Sequence, residues 1–423
     1  VVQSRRGGGP DYLNMAWWFQ GVRSVLLYAA AFLMAPWLSR FYFSDKLEIL
    51  ELYTVDELCT LLRVAFLYIL FNGLTSPRLQ ILTREFRFFK KMILSQGTAA
   101  AGIVLTIILA FRLRNVWAIV IGNLFGAGLL FAVSYAVCPF LPRLRFHKQS
   151  LMEIVRYAKG MVGLPILTYL AFNTDILVMG KVLDPPLVGM YGFAMVIANV
   201  PRDLFSKIIS PVLLPAFAEN QEKNDSLSRA ILTMSRAMAV VLLPACVVAV
   251  ACGATILSVV YSPKYAQVAT VFGILCFYVA VVIQTIPPAQ IFYGVGCPGK
   301  QRIFVVFRAV LLLVLIYPAV KAFGLMGAAG TLLGVNAAGL GLQVLLLNKE
   351  IGLRPGHYLA AWLPGLGAAV IQVMIVTAAA FIWPGHPYIQ LAVGAAACAV
   401  IIAGWFLNEI HKRVRQKRAT GHR

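Results

Sequence analysis

Twelve apolar stretches, each about as long as a bilayer-spanning helix, follow one another along this chain with little between them. They run over residues 16–38, 58–80, 92–110, 116–138, 160–183, 187–216, 234–260, 267–293, 303–321, 325–347, 359–383 and 388–408. A hydrocarbon core about 30 Å thick takes about 20 residues at a rise of 1.5 Å each. In lipid, every backbone N–H and C=O must find its partner inside the protein, so only helices or closed barrels can cross. The stretches are too long for strands and lack strand alternation, which leaves helices. Composition agrees: 60% of the 423 residues are hydrophobic and only 13% are charged. No soluble core of that size hides so much apolar surface, and disordered chains are poor in it. The expected fold is an all-α polytopic membrane protein of about 12 transmembrane helices.

The formal charge of +21, from 37 Lys and Arg against 16 Asp and Glu, would point to nucleic acid in a soluble protein. Here the basic residues lie between the apolar blocks and at the C-terminus. With residue 1 placed inside, 25 of them fall in inside segments, 7 in outside segments and five within helices. The excess puts both ends of the chain on the cytoplasmic side and leaves no case for nucleic acid. The loop from Ser39 to Glu57, on the outside, is acidic. The seven cysteines form no CxxC pair and no cluster with the five scattered histidines, so they read as small buried hydrophobes and no metal site is expected. No cofactor is implied. No segment between helices exceeds about 25 residues, so there is no room for a soluble catalytic domain.

Residues 90–138 run basic entry (Lys90, Lys91), helix, short turn, then a helix with Gly122, Gly126 and Gly128. Residues 300–347 repeat that order, from Lys300 and Arg302 to Gly327, Gly330, Gly334, Gly339 and Gly341. Small residues let helices approach closely, and internal repeats are common in transporters. A six-helix repeat makes 160–347 one complete lobe. The lobe over 16–138 then holds four helices and is expected to lack two at its start, as the opening Val1 in place of Met also suggests; the full protein would have 14. The expected organisation is a cytoplasmic N-terminal segment at 1–15, an incomplete lobe at 16–138, a cytoplasmic linker at 139–159, a complete lobe at 160–347, an added helix pair at 348–408 and a basic cytoplasmic tail at 409–423.

The most specific stretch reads Asn173-Thr174-Asp175-Ile176-Leu177-Val178-Met179-Gly180-Lys181, then Asp184-Pro185-Pro186-Leu187-Val188-Gly189-Met190-Tyr191-Gly192, then Ala198-Asn199-Val200-Pro201 and Leu214-Pro215-Ala216-Phe217. Leu82-Thr83-Arg84-Glu85-Phe86-Arg87-Phe88, Pro142-Arg143-Leu144-Arg145-Phe146 and Leu13-Asn14 fall in the matching order. Together these segments resemble the polysaccharide transport family, the Wzx-type flippases of the multidrug/oligosaccharidyl-lipid/polysaccharide exporter superfamily. The resemblance covers nearly the whole chain and rests on several weak motifs rather than one signature. It implies a two-lobe MATE-like bundle in the bacterial inner membrane. It implies a flippase for undecaprenyl-diphosphate-linked oligosaccharides in O-antigen, capsule or exopolysaccharide biosynthesis, working by alternating access, monomeric, with glycan polymerase and export proteins as partners beyond the bilayer and the lipid-linked glycan.

A charge inside the bilayer costs a few kcal/mol, so each one is a candidate for function. Arg23, in the first stretch, either meets an anionic diphosphate by bidentate bonding or snorkels to the headgroups. Arg202 and Arg308 are candidates for the same cavity, Arg308 facing either the lobe interface or the headgroups. Asp175 is the only acidic residue well inside an apolar stretch and is the candidate for ion or proton coupling; a structural ion pair is the other reading. Asn173 is a candidate substrate contact, although two residues along a helix from Asp175 it is expected to face elsewhere. Asp203 and Lys207, four apart, are expected to pair. Arg63 is expected to pair with the acidic outer loop. Gln284, Gln290, Asn336 and Gln343 read first as helix–helix hydrogen bonds. Pro201, Pro211, Pro215, Pro287 and Pro288 are expected to bend their helices. No GxSxG, HExxH or phosphate-loop signature is present, and no catalytic residue is expected. Two other classes stay open: a multidrug or small-molecule cation antiporter of the same superfamily, and a polytopic glycan-processing enzyme.

Overall fold

The computed structural model describes residues 9–43, 54–84, 87–143, 152, 164–208, 224–295 and 297–420. The acidic outer loop over 44–53, most of the linker over 139–159, Pro211, Pro215 and the Lys207 side chain lie outside the described residues. Every described element is helical. Eight helical runs among the described residues are long and apolar enough to cross a membrane. They contain nine of the twelve predicted stretches, because Gly299–Ile351 holds two. The described parts of the other three stretches are largely helical. One is broken at Phe66, and two carry Asn173, Asp175 and Lys181 or Arg202, Asp203 and Lys207, which lower their apolarity. The chain is a multi-pass membrane protein.

The helices group into two compact units, Val1–Pro165 and Ile166–Arg423. In the first unit, α1 (Pro10–Phe43) packs on α2 (Val55–Ala65) and α3 (Leu67–Gly73). Thr54 caps α2 with a capping box, its hydroxyl accepting from the Glu57 N–H while the Glu57 carboxylate accepts from the Thr54 N–H. The short α4 (Leu79–Arg84) precedes α5 (Phe88–Leu113) and α6 (Trp117–Val137), which pack closely. A side chain at Gly102 would sit 2.8 Å from the Gly122 carbonyl, and one at Gly122 would strike Thr106. The lipid-facing side is apolar: Leu33, Ile103, Val104 and Phe111 are all exposed. That inverts the soluble pattern, as a bilayer solvent requires.

Polar groups stitch one end of this unit. Trp17 Nε1 donates to the Tyr135 hydroxyl at 2.7 Å, which donates to the Leu74 carbonyl at 2.8 Å. The Asn14 side chain exchanges two bonds with the Arg143 backbone at 2.6 and 2.8 Å, and Trp18 donates to the same carbonyl. Arg63 stacks over the Phe32 ring, 4.3 Å from its centroid, which is the contact observed for a residue expected to pair with the outer loop.

The second unit begins with α7 (Leu164–Val182) and α8 (Pro185–Ile208). The long α9 (Asn224–Val260) follows, then a 3₁₀ turn at Pro263–Val268, α10 (Ala269–Gln284) and α11 (Ile286–Gly294). The stretch predicted over 267–293 is interrupted at Thr285, and Pro287 and Pro288 open the new helix, where their missing N–H groups cost nothing. Pro298–Ile351, here α12, folds back on itself at Gly324, whose φ of 57° and ψ of −134° leave the helix. The fold-back brings Gly339 against Phe304 and joins Gln343 Nε2 to Gln301 Oε1 at 2.9 Å. Then come α13 (Pro355–Ala360), α14 (Leu363–Ile382) and α15 (Pro387–Thr420). A core of Met179, Tyr191, Leu257, Leu275, Ile283, Leu312 and Ile316 joins α7, α8, α9, α10 and α12.

Candidate membrane cavity

Helices α7, α8 and the first limb of α12 meet α10 and α11 around one cavity of about 690 Å³. Its wall carries Asp175 and Asn173 from α7, Asn199, Arg202, Asp203 and Ser206 from α8, and Tyr278 from α10. Thr285 and Gln290 come from the break and from α11, and Gln301, Phe304 and Arg308 from α12. Four of the five site candidates named from the sequence therefore share this cavity. Arg23 does not; it sits on α1 in the first unit, exposed.

Asp175 is 1% exposed and Arg308 4% exposed. One carboxylate oxygen of Asp175 accepts from the Tyr191 hydroxyl at 2.9 Å, and its Oδ1 has no hydrogen-bond partner. Arg308 lies against the Tyr278 hydroxyl and within electrostatic reach of Asp175 and Arg202. A guanidinium and a carboxyl are each costly to bury in low dielectric, and here Tyr278 and Tyr191 hydrogen-bond them in turn. Arg308 thus faces the cavity.

Arg202 differs. Its guanidinium pairs with the adjacent Asp203 carboxylate at 3.2 Å, with side chains 29% and 56% exposed. Asp203 was also expected to pair with Lys207, whose side chain lies outside the described residues. An exposed pair of this kind contributes about 0–1 kcal/mol, so an incoming anion can displace Asp203 cheaply.

Amides complete the wall. Asn173 and Asn199 each donate one bond back to their own helix, to the Tyr169 and Met195 carbonyls at 3.0 Å. The Asn199 Oδ1 is buried with no partner. Asn173 was expected to face away from Asp175, yet both line the cavity. Asn199, Tyr278 and Thr285 were not singled out as site residues; an uncharged polar or aromatic group in an apolar helix looks like any packing residue. The one available signal was Asn199 within the quoted Ala198–Pro201 motif.

The wall is braced from behind. The Gln284 side chain exchanges two bonds with Ser235 on α9, at 2.9 and 3.0 Å, and Trp362 Nε1 donates to the Ser235 hydroxyl at 3.0 Å. Gln284 immediately precedes Thr285, so this network anchors the break in the cavity wall to α9 and to the start of α14. Gln284 and Gln343 are helix–helix hydrogen-bonding residues, and Asn336 bonds the Leu332 carbonyl of its own helix. Gln290 lines the cavity. Among the described residues no group of three or more His, Cys, Asp or Glu could hold a metal.

Comparison with known proteins adds to this geometry. The chain is 26% identical over 216 residues to the succinoglycan biosynthesis transport protein ExoT of Rhizobium meliloti, covering 51% of this chain and 43% of that protein. It is 23% identical over 297 residues to the lipopolysaccharide biosynthesis protein WzxC of Escherichia coli, covering 67% and 58%. It is 19% identical over 268 residues to the teichuronic acid biosynthesis protein TuaB of Bacillus subtilis, covering 62% and 53%. The chain thus spans about half the length of the curated relatives it matches. Its fold is that of the lipid II flippase MurJ in an inward closed conformation, with a TM-score of 0.73 at 15% identity over 95% of this chain and 85% of that one. Residues 1–270 match the family described as polysaccharide biosynthesis protein, and with that match over well more than half its length the chain belongs to that family.

Proposed function

We propose that the protein is a flippase that carries undecaprenyl-diphosphate-linked oligosaccharide across the bacterial inner membrane by alternating access, supplying O-antigen, capsule or exopolysaccharide biosynthesis. The observation that carries the reading is the cavity around Arg308: a cation held inside a membrane bundle, beside a second Arg whose partner is easily displaced and amides with unmet hydrogen-bonding capacity. Two guanidinium groups suit the bidentate geometry of a diphosphate. Asn173 and Asn199 suit sugar hydroxyls. Asp175 is the ion-coupling group, since its free oxygen can take a proton or a cation while Arg308 answers the change. Arg23, outside this cavity, stays a separate candidate for contact with an anionic substrate.

The names of the relatives and of the structural neighbour support a transporter of lipid-linked glycan rather than an enzyme. The basic-residue excess supports both chain ends on the cytoplasmic side, and the six-helix repeat order supports two lobes divided as the sequence suggested, with an added helix pair at 348–408. The protein works as a monomer beside glycan polymerase and export proteins.

One observation favours a second reading, a small-cation antiporter: Asp175 and Asp203 balance the two Arg charges of the cavity. Expression in a host lacking its own flippase separates the two. The flippase reading predicts restored surface polysaccharide and a cleared cytoplasmic pool of lipid-linked intermediate. Unchanged glycan with the protein inserted, together with gained resistance to cationic drugs, would favour the antiporter.

A further inference from the structure

A second cavity of about 520 Å³ lies in the same unit, away from the first. It forms where the start of α9 meets the end of α12 and the start of α13. Arg229, Arg354 and His357 converge on it, with Asp225 the one acidic side chain of its wall. Arg229 Nε donates to the Asp225 backbone carbonyl at 3.2 Å, and among the described residues neither Arg229 nor Arg354 pairs with a carboxylate.

The crevice is built rather than a chance gap in mobile loops. Ser228 donates to the Ile351 carbonyl at 3.2 Å, tying α9 to the end of α12. Gly352, at φ 71°, closes α12 with its N–H on the Asn348 carbonyl and turns the chain toward Arg354. Beneath lies a packed floor of Leu227, Ile231, Ile351, Leu353 and Tyr358, none more than 4% exposed. Leu232 and Leu353 bring the apolar wall up to the basic rim. On the adjoining helices Leu359, Leu363, Leu366 and Val370 are exposed along one face, at helical spacing.

A cationic rim over an apolar wall, continued by an apolar stripe, has the chemistry of a phospholipid with a phosphate headgroup and acyl chains. A solvated basic loop placed only by topology would show the charge without the floor. We propose that this crevice is a binding site for one anionic phospholipid of the cytoplasmic leaflet, its phosphate held by Arg229 and Arg354. Which leaflet it reads follows from the orientation proposed above; the binding itself does not depend on flippase activity.

The test is native mass spectrometry and thermal unfolding of the purified full chain with added phosphatidylglycerol, phosphatidylcholine or inorganic phosphate. Phosphatidylglycerol is expected to be retained by the wild type and to raise its Tm by several degrees, while phosphatidylcholine and millimolar phosphate do neither. Arg354→Gln, at an exposed loop position, is expected to cut retained phosphatidylglycerol at least threefold, and Arg229→Gln/Arg354→Gln to remove most of the Tm rise. Arg413→Gln/Arg415→Gln, with the same change in net charge on the basic tail, is expected to keep both. Equal loss in the tail variant would overturn the proposal, because general charge attraction would then explain the binding. Full retention in Arg354→Gln and in the double variant would overturn it as well, as would an equal Tm rise from phosphate alone.

Discussion

The α5–α6 pair in the first unit and the folded-back α12 in the second are built alike and carry different loads. Each follows a basic entry, doubles back and closes through glycine, Gly102 and Gly122 in one and Gly339 against Phe304 in the other. Between Lys91 and Arg112 the first pair holds no charge at all, whereas the matching limb of α12 holds Arg308. That single residue changes what surrounds it. A buried cation demands polar neighbours, and Tyr278, Asp175 and the amides of α7 and α8 gather there. Glycine packing sets how close two limbs come; a charge in the membrane decides which limb borders a cavity.

The sharpest way to break the comparison is Arg308→Ala. It takes the charged partner from the buried Tyr278 hydroxyl and the nearby positive charge from Asp175, at a cost of about 1–3 kcal/mol. Surface glycan export should be abolished and the melting temperature should drop. Arg308→Gln/Asp175→Asn should recover most of the stability, read by thermal unfolding, and none of the export. In the uncharged pair, Gly122→Val should cost about 1–3 kcal/mol by overpacking against Thr106 and Gly102, with export falling only in step with the amount of folded protein. Asp175→Asn keeps an acceptor for the Tyr191 hydroxyl, so its stability should change by about 1 kcal/mol while export falls at least tenfold. The smallest effect is expected from Trp362→Phe, which removes one hydrogen bond to Ser235 worth about 0.5–1.5 kcal/mol and loosens the brace behind Thr285; export measured over time should slow without stopping.

The helices were readable from the sequence because the bilayer imposes one length on every apolar stretch. Helix breaks were less readable. Pro287 and Pro288 signalled the interruption at Thr285, but nothing local marked Phe66, whose backbone dihedrals stay close to helical. Arg202, Arg308 and Asp175 stood out one by one because each is a charge in an apolar run. That they share a cavity with Asn173 came only from the packing of α7, α8, α10 and α12. The partners they use were illegible for the same reason. Arg202 pairs with its neighbour Asp203, and Tyr191 and Tyr278 read as ordinary aromatic core until a buried charge is placed beside them.

Binding of a polyprenyl-diphosphate-linked sugar to the purified protein, wild type against Arg308→Lys and Arg308→Gln, shows whether Arg308 meets the substrate. If the cavity in the second unit holds the diphosphate, Arg308→Gln should weaken binding at least tenfold. Arg308→Lys should weaken it less, since it keeps the charge and loses only the bidentate geometry. Binding unchanged in Arg308→Gln, with the variant folded, would contradict the account and move the substrate elsewhere in the molecule.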